Sequence, residues 1–316
     1  MNVVALKPVE PRVPLFDLKR VVAELAQERQ YWRESQQRST EPGGRELPSR
    51  DALAQIIEGL RGVLFPMRLG PADLRQESED FYVGHTLDSV LHALLAQVQL
   101  ELRYEARHQD SVTPQALVER AVDIVREFSF SLPHIRGLLD SDVLAAYAGD
   151  PAARSVDEVL LCYPGIQAMI HHRIAHRLYD LGVPLLARIV AELAHSQTGI
   201  DIHPGASIDA GLFIDHGTGV VIGETAVIGQ RVRIYQAVTL GAKSFPTDDA
   251  GNICKGVLRH PIVKDDVVIY AGATVLGRVT VGRGASIGGN VWVTHDVAPG
   301  AHITQARSSL REAVAT

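Results

Sequence analysis

With 316 residues, a net charge of −6 and no basic excess, the chain has room for two domains of ordinary size and offers no electrostatic footprint for nucleic acid. Its two cysteines, Cys162 and Cys254, form neither a disulfide framework nor a zinc-ligand spacing, which points to a reducing cytoplasm. No run of about 18 apolar residues occurs and the N-terminus lacks the unbroken apolar stretch of a signal peptide, so neither a membrane span nor export is expected.

From residue 1 to about 195 glycine is scarce and apolar residues recur three and four apart, the spacing of amphipathic helices. Helices are predicted over 17–38, 50–64, 78–107, 114–127, 140–148, 156–181 and 184–196. Breaks are expected at Pro42-Gly43-Gly44, Pro66, Gly70-Pro71, Thr113-Pro114, Pro133, Gly149-Asp150-Pro151 and Gly182 to Pro184, because proline and glycine disfavour a helix interior. His172 and His176 stand four apart on one of these helices, a pair able to grip a metal. No third ligand lies nearby in the sequence, and no metal is expected.

Near residue 198 the period changes from 3.6 to six. One ladder runs through Ile202, Ile208, Ile214, Val220, Ala226, Val232 and Val238, and a second through Ile222, Ile228, Ile234 and Leu240. The period resumes at Val263, Ile269, Val275, Val281, Ile287 and Val293, with partners at Val267, Ala273, Val279, Ala285, Val291 and Val297. Such periodicity predicts a parallel β-helix, in which each hexad is a short strand and turn that buries its apolar face only by stacking. An ordinary sandwich would instead show alternating strands with turns every 8 to 12 residues. Glycines at 223, 229, 277, 282, 284 and 288 fall at the tight corners.

The fold class is thus α+β: a helical domain over 1–197, which caps the β-helix or builds an oligomer contact, then a β-helix over 198–306 and a tail over 307–316. The separation of Leu240 from Val263 is not a multiple of six, so residues 241–260 leave the coil as one long polar loop, a common seat of function.

Three stretches narrow the reading further: Asp201-Ile202-His203-Pro204-Gly205-Ala206, Leu212 to Gly219 with its Asp215-His216-Gly217-Thr218-Gly219 corner, and Val221 to Gly229, which reads Val-Ile-Gly-Glu-Thr-Ala-Val-Ile-Gly. Together with Val238-Thr239-Leu240-Gly241, Arg259-His260-Pro261 and the helix around Arg173-Ile174-Ala175-His176, they resemble the serine O-acetyltransferase family from about Asp150 to residue 300. Residues 1 to about 110 match only loosely. The resemblance implies a left-handed parallel β-helix and transfer of acetyl from acetyl-CoA to the L-serine hydroxyl, giving O-acetylserine for cysteine synthesis.

That chemistry needs a base, because a primary hydroxyl is un-ionised at neutral pH. By resemblance His216 is the base and Asp201 the carboxylate that orients it; read locally and without the motif, a solvated turn histidine and a capping aspartate are the favoured reading. Free serine carries an ammonium and a carboxylate. The resemblance assigns Asp150 and Asp215 to the first and Arg259 and His260 to the second, although Asp150 also reads as a helix N-cap. For acetyl-CoA it implies Gly241, Ala242 and Ala271 along the pantetheine arm, with Lys243 as a phosphate contact. Glu224 reads as a second acid or a turn residue, Cys254 as a loop cysteine, and Trp292 as an outward residue facing a neighbouring subunit or a ligand.

The resemblance further implies a homotrimer or dimer of trimers with sites between neighbouring coils, and feedback inhibition by L-cysteine. The complex with the partner sulfhydrylase uses a C-terminal isoleucine in the family, whereas this chain ends in Thr316, so that complex is not expected. The insertion 243–258 is longer than the family's usual loop. A related acyltransferase acting on homoserine or a sugar remains the alternative; a sugar would not need the paired aspartates and arginine. A zinc hydratase on the same scaffold would place three histidines around the metal, commonly with an H-x4-H pair, and no such pair occurs after His195; a non-catalytic module predicts no base at the corner.

Overall fold

The computed structural model describes residues 16–35, 47–107 and 112–305. Two units are separated between Glu46 and Leu47. The first contributes α1 (Leu18–Ser35), none of whose residues is buried. The predicted extension of this helix to residue 38 and the tail 307–316 lie outside the described residues.

The second unit begins with α2 (Arg50–Leu64), capped by Ser49, whose side chain accepts from the Ala52 N–H. Leu53, Ile56, Ile57, Leu60 and Leu64 form its buried stripe. A short α3 (Pro66–Leu69) follows, then α4 (Glu79–Ala106). Next comes α5 (Pro114–Gly149), one continuous helix where two were expected. Pro133 does not end it. The cost of an internal proline, about 3 kcal/mol, is outweighed by the stripe Ile124, Phe128, Leu132, Ile135 and Leu139, all buried and worth about 1.5–3 kcal/mol each.

The predicted helix 156–181 is in turn two, α6 (Val156–Cys162) and α7 (Pro164–Asp180). Pro164 starts the second at a position where its missing N–H costs nothing, and it forces Tyr163 into extended backbone, φ −83° and ψ 121°. The last helix, α8 (Pro184–Thr198), has Glu101 of α4 bonded to the N–H groups of Leu185 and Leu186 and ends at Gly199 with φ 69°. No helix among the described residues is long and apolar enough to cross a membrane.

Strands then follow in short steps: β1 (Asp201–Ile202), β2 (Ser207–Ile208), β3 (Phe213–Ile214), β4 (Val221–Ile222), β5 (Val227–Ile228), β6 (Arg233–Ile234) and β7 (Thr239–Gly241). After the loop come β8 (Ile262–Val263), β9 (Val268–Ile269), β10 (Thr274–Leu276), β11 (Thr280–Val281), β12 (Ser286–Ile287), β13 (Trp292–Val293) and β14 (His302–Ile303). All named strand pairs are parallel, in three sheets ordered β1-β4-β7-β10-β13, β2-β5-β8-β11 and β3-β6-β9-β12-β14. Up to β13 every third strand returns to the same sheet, so the chain coils through three faces; before β14 the second sheet gains only the single bridge of Val297 to Val281.

The expected ladder needs one correction. Ile202, Ile208 and Ile214 continue into Ile222, Ile228, Ile234 and Leu240 as the second residues of successive strands, whereas Val220, Ala226, Val232 and Val238 fill the corners. The two sets change places because eight residues, not six, separate Ile214 from Ile222. That longer corner carries Asp215 and His216.

Helices and coil are locked together by a buried ion pair. Arg173 of α7 bonds both carboxylate oxygens of Asp142 in α5, at 3.0 and 3.2 Å, and donates to the carbonyls of Ile208 and Asp209. Asp142 also accepts from the N–H groups of Gly211 and Leu212. Every charge in this contact is matched, as burial requires.

Candidate active site

Corners between the third sheet and the first line one edge of the coil, and His216 sits on its longest. Its φ is 59°, followed by Gly217 at 82° and Gly219 at 78°. A side chain at Gly217 would strike Ile200, so the corner can fold this tightly only with glycine there. The backbone thrusts the imidazole outward with 70% of its surface exposed. It borders an open depression of about 530 Å³ lined by Tyr235, Gln236, Tyr270, Ala271, Gly288, Gly289 and Asn290. Tyr235 and Tyr270 stack at 5.2 Å and form one wall.

Asp215, largely buried, lies 3.7 Å from Nδ1 of His216 through Oδ1 and accepts a 2.7 Å bond from Arg233 at Oδ2. Arg233 also donates to the carbonyl of Gly149, next to Asp150. Asp150 is the C-cap of α5, and the following helix is capped by Ser155, which corrects the N-cap reading. Its Oδ2 accepts 2.5 Å from the Tyr163 hydroxyl and its Oδ1 accepts from the Ala152 N–H. The Tyr163 bond, with smaller help from Ala152, Arg233 and His216, holds the Asp150 carboxyl below its ordinary range, and the same bond pushes the Tyr163 phenol up to about 12.

Asp201 begins β1. Its carboxylate groups with Glu192 and His195 of α8, their ligand atoms all within 4.8 Å of one another. Among the described residues no hydrogen bond or ion pair joins Asp201 to His216.

The other expected residues lie on a different edge, between the first sheet and the second. Arg259 pairs with Glu224 at 2.7 Å, and Glu224 also accepts from Tyr179. Burial alone would raise the Glu224 carboxyl, but these two bonds hold it low. His260 is buried, accepts at Nδ1 from the Thr225 N–H at 3.0 Å, and so carries its proton on Nε2. Burial, reinforced by Arg259, lowers its pKa to about 4.

Gly241 ends β7 on this edge, with Ala242 and Lys243 opening the loop beside Gly277. A side chain at Gly241 would press on Leu276. Ala271 belongs to the His216 edge. The loop contains a small antiparallel bridge, Thr247 to Ile253, closed around Asp248, which accepts from Ala250 and Asn252.

His172 and His176 stack at 5.6 Å. His176 engages the carbonyl of Pro204, while the fully buried His172 is held neutral by desolvation. Trp292 is 69% exposed, in keeping with its outward phase.

The chain is 59% identical over 263 residues to a plasmid-encoded serine acetyltransferase of Synechococcus elongatus, covering 83% of this chain and 82% of that one. It belongs to the serine acetyltransferase family. It is therefore an acyltransferase. No family model matches the sequence. Among solved structures, serine acetyltransferase 1 of Entamoeba histolytica in complex with L-cysteine superposes with a TM-score of 0.68 at 40% identity, covering 79% of this chain and 86% of that one. The Neisseria gonorrhoeae enzyme in complex with serine gives a TM-score of 0.52 at 30% identity, covering 81% and 96%.

Within this acetyltransferase, sequence reasoning missed Tyr163, Arg233, Tyr235 and Tyr270. Pro164 was the signal for Tyr163. Arg233 and the tyrosines occupy outward positions on the coil, where apolar periodicity carries no information.

Proposed function

We propose that the chain transfers acetyl from acetyl-CoA to L-serine, giving O-acetylserine for cysteine synthesis in the cytoplasm, with His216 as general base. The observation that carries this reading is the eight-residue corner, which holds an exposed imidazole between Asp215 and the tyrosine-walled depression. In this assignment acetyl-CoA supplies the acetyl group. His216 accepts the serine hydroxyl proton as the oxygen attacks the carbonyl, and returns it to the departing thiol. The family resemblance assigns Asp201 to orient the imidazole, although its carboxylate here sits with Glu192 and His195 and the carboxylate 3.7 Å from His216 Nδ1 is that of Asp215. Asp150 and Asp215 are assigned the ammonium, and Arg259 and His260 the carboxylate. Gly241, Ala242 and Ala271 leave backbone open to the pantetheine arm, and Lys243 meets a phosphate. Small side chains at the first three positions fit a thin extended ligand lying against the coil.

The coil itself is assigned the left-handed sense of a parallel β-helix over 198–306, with 1–197 as its helical cap and oligomerisation domain. His216, Asp215 and Asp150 stand on one edge, while Arg259, His260 and Lys243 stand on another. One serine can meet both groups only if the edge of one protomer faces the other edge of a neighbour. This supports a homotrimer, alone or paired into a hexamer. L-cysteine shares the ammonium and carboxylate of serine and is assigned to the same site as a feedback inhibitor.

The test is thiol release from acetyl-CoA with L-serine and a panel of other hydroxyl acceptors. Activity on serine that falls by about 10² to 10⁴ in the His216→Ala variant supports the assignment. Full activity in that variant refutes it.

A further inference from the structure

Arg233 occupies the outward position of β6, in register with Phe213 of β3. Its guanidinium lies 4.9 Å from the ring of Phe213 and 4.6 Å from that of Tyr235. Nη2 donates 2.7 Å to Oδ2 of Asp215, and Nη1 donates 2.7 Å to the carbonyl of Gly149. Nε is buried and makes no hydrogen bond. With its terminal nitrogens engaged and aromatic rings beside it, this arginine is not free to grip a substrate carboxylate.

It does something else. Asp150 belongs to the end of a helix and Asp215 to a corner of the coil, and Arg233 bonds the backbone next to one and the carboxylate of the other. Gly149 meets Phe213 so closely that a side chain there would lie 2.9 Å from the ring, which fixes the helix end against the strand that precedes Asp215. Charge points the same way: two carboxylates facing one ammonium leave a surplus negative charge, and Arg233 offsets it.

We propose that Arg233 is a positioning and specificity residue for serine: it clamps Asp150 and Asp215 in one register and reduces the pair to a single net negative charge matched to one ammonium. A planar fork can bond a carbonyl and a carboxylate at once, which a lysine does poorly. The inference rests on the assignment of Asp150 and Asp215 to the serine ammonium.

Steady-state kinetics of Arg233→Met, Arg233→Lys and Asp215→Asn in the full chain test it. For Arg233→Met the serine KM is expected to rise about 10- to 100-fold, the size of one charge-assisted hydrogen bond, with kcat and the acetyl-CoA KM within about threefold of the parent. Arg233→Lys is expected to recover part of the loss. A serine KM within about twofold of the parent in Arg233→Met overturns the proposal. Should that variant fail to fold, an unchanged serine KM in Arg233→Lys does the same. A uniform fall in active enzyme with parental KM values marks a merely structural role and also overturns it. If Asp215→Asn raises the serine KM but Arg233→Met does not, only the inference about Arg233 falls. If Asp215→Asn keeps the parental KM, the ammonium assignment falls and takes the inference with it.

Discussion

Tyr163 and Asp150 meet across a 2.5 Å hydrogen bond, although one starts a helix and the other ends one. The bond fixes the carboxylate and extends its ionised range to lower pH. In Tyr163→Phe the Asp150 carboxyl returns toward its ordinary range, so protonation, which removes the partner of the serine ammonium, begins at higher pH. The serine KM at neutral pH is expected to rise about 10- to 100-fold, the cost of one hydrogen bond to a charged group. It should also climb earlier than the parent's as the pH is lowered below 7. A KM profile that overlays the parent's would rule out a role for this pair.

Division of the site between two edges of the coil gives a complementation test. His216→Ala and Arg259→Met chains are each expected to be nearly inactive alone. When the two are denatured, mixed in equal amounts and refolded together, about a quarter of the interfaces in a heterologous ring pair an intact His216 with an intact Arg259. Activity should return toward that fraction. No recovery in mixed trimers shown to contain both chains would mean that each site lies within one chain.

Gly165, in the first turn of α7, leaves room for the carbonyl of Ile214, which an added methyl would approach to 2.3 Å. Backbone cannot swing aside as a side chain can. Gly165→Ala is expected to push the helix off β3, destabilise the protein by about 1–3 kcal/mol, and lower kcat, because Asp215 and His216 follow Ile214 directly. Chemical denaturation and kinetics on the folded fraction measure both effects; unchanged values would show that the helix can be displaced without disturbing the corner.

Glu101, fully buried, caps α8 from a distance, and burial raises its pKa to about 7 despite the two N–H groups it accepts. A carboxyl raised on folding takes up protons that the unfolded chain releases, so this group's contribution to stability declines as pH rises from about 4.5 to about 7. The decline amounts to at most about 3 kcal/mol. Urea unfolding of the parent and Glu101→Ala at pH 5 and pH 8 isolates it: the gap between the two proteins should be wider at pH 5. A wider gap at pH 8 would reverse the sign.

The coil was legible because burying a six-residue unit requires an aliphatic residue in each layer, and Ile208, Ile228 and Val263 leave that requirement in the sequence. The helix boundaries were less so. Pro133 looks like a stop, yet tertiary burial of Leu132 and Ile135 on either side carries the helix through it, and such burial is invisible in local sequence. Motif residues such as Asp215 and His216 could be named, but the division of the expected residues between two edges could not, because it follows from the phase of the coil. Arg233 and Tyr163 were hidden for a simpler reason: each meets its carboxylate partner, 18 and 13 residues back, only through the tertiary fold, and apolar periodicity does not report on outward polar side chains.

The eight-residue corner at His216 has a consequence beyond chemistry. A stack of identical hexads has no intrinsic register, and a chain that closes one rung too high or too low would still bury an aliphatic residue in every layer. One oversized corner and one turn that carries the long loop make the rungs unequal, so a slipped stack would set a long corner over a short one and strand the buried contacts beneath the helices. The irregularity that exposes the imidazole therefore also numbers the rungs, and the chain finds a single alignment because its repeats are not all alike.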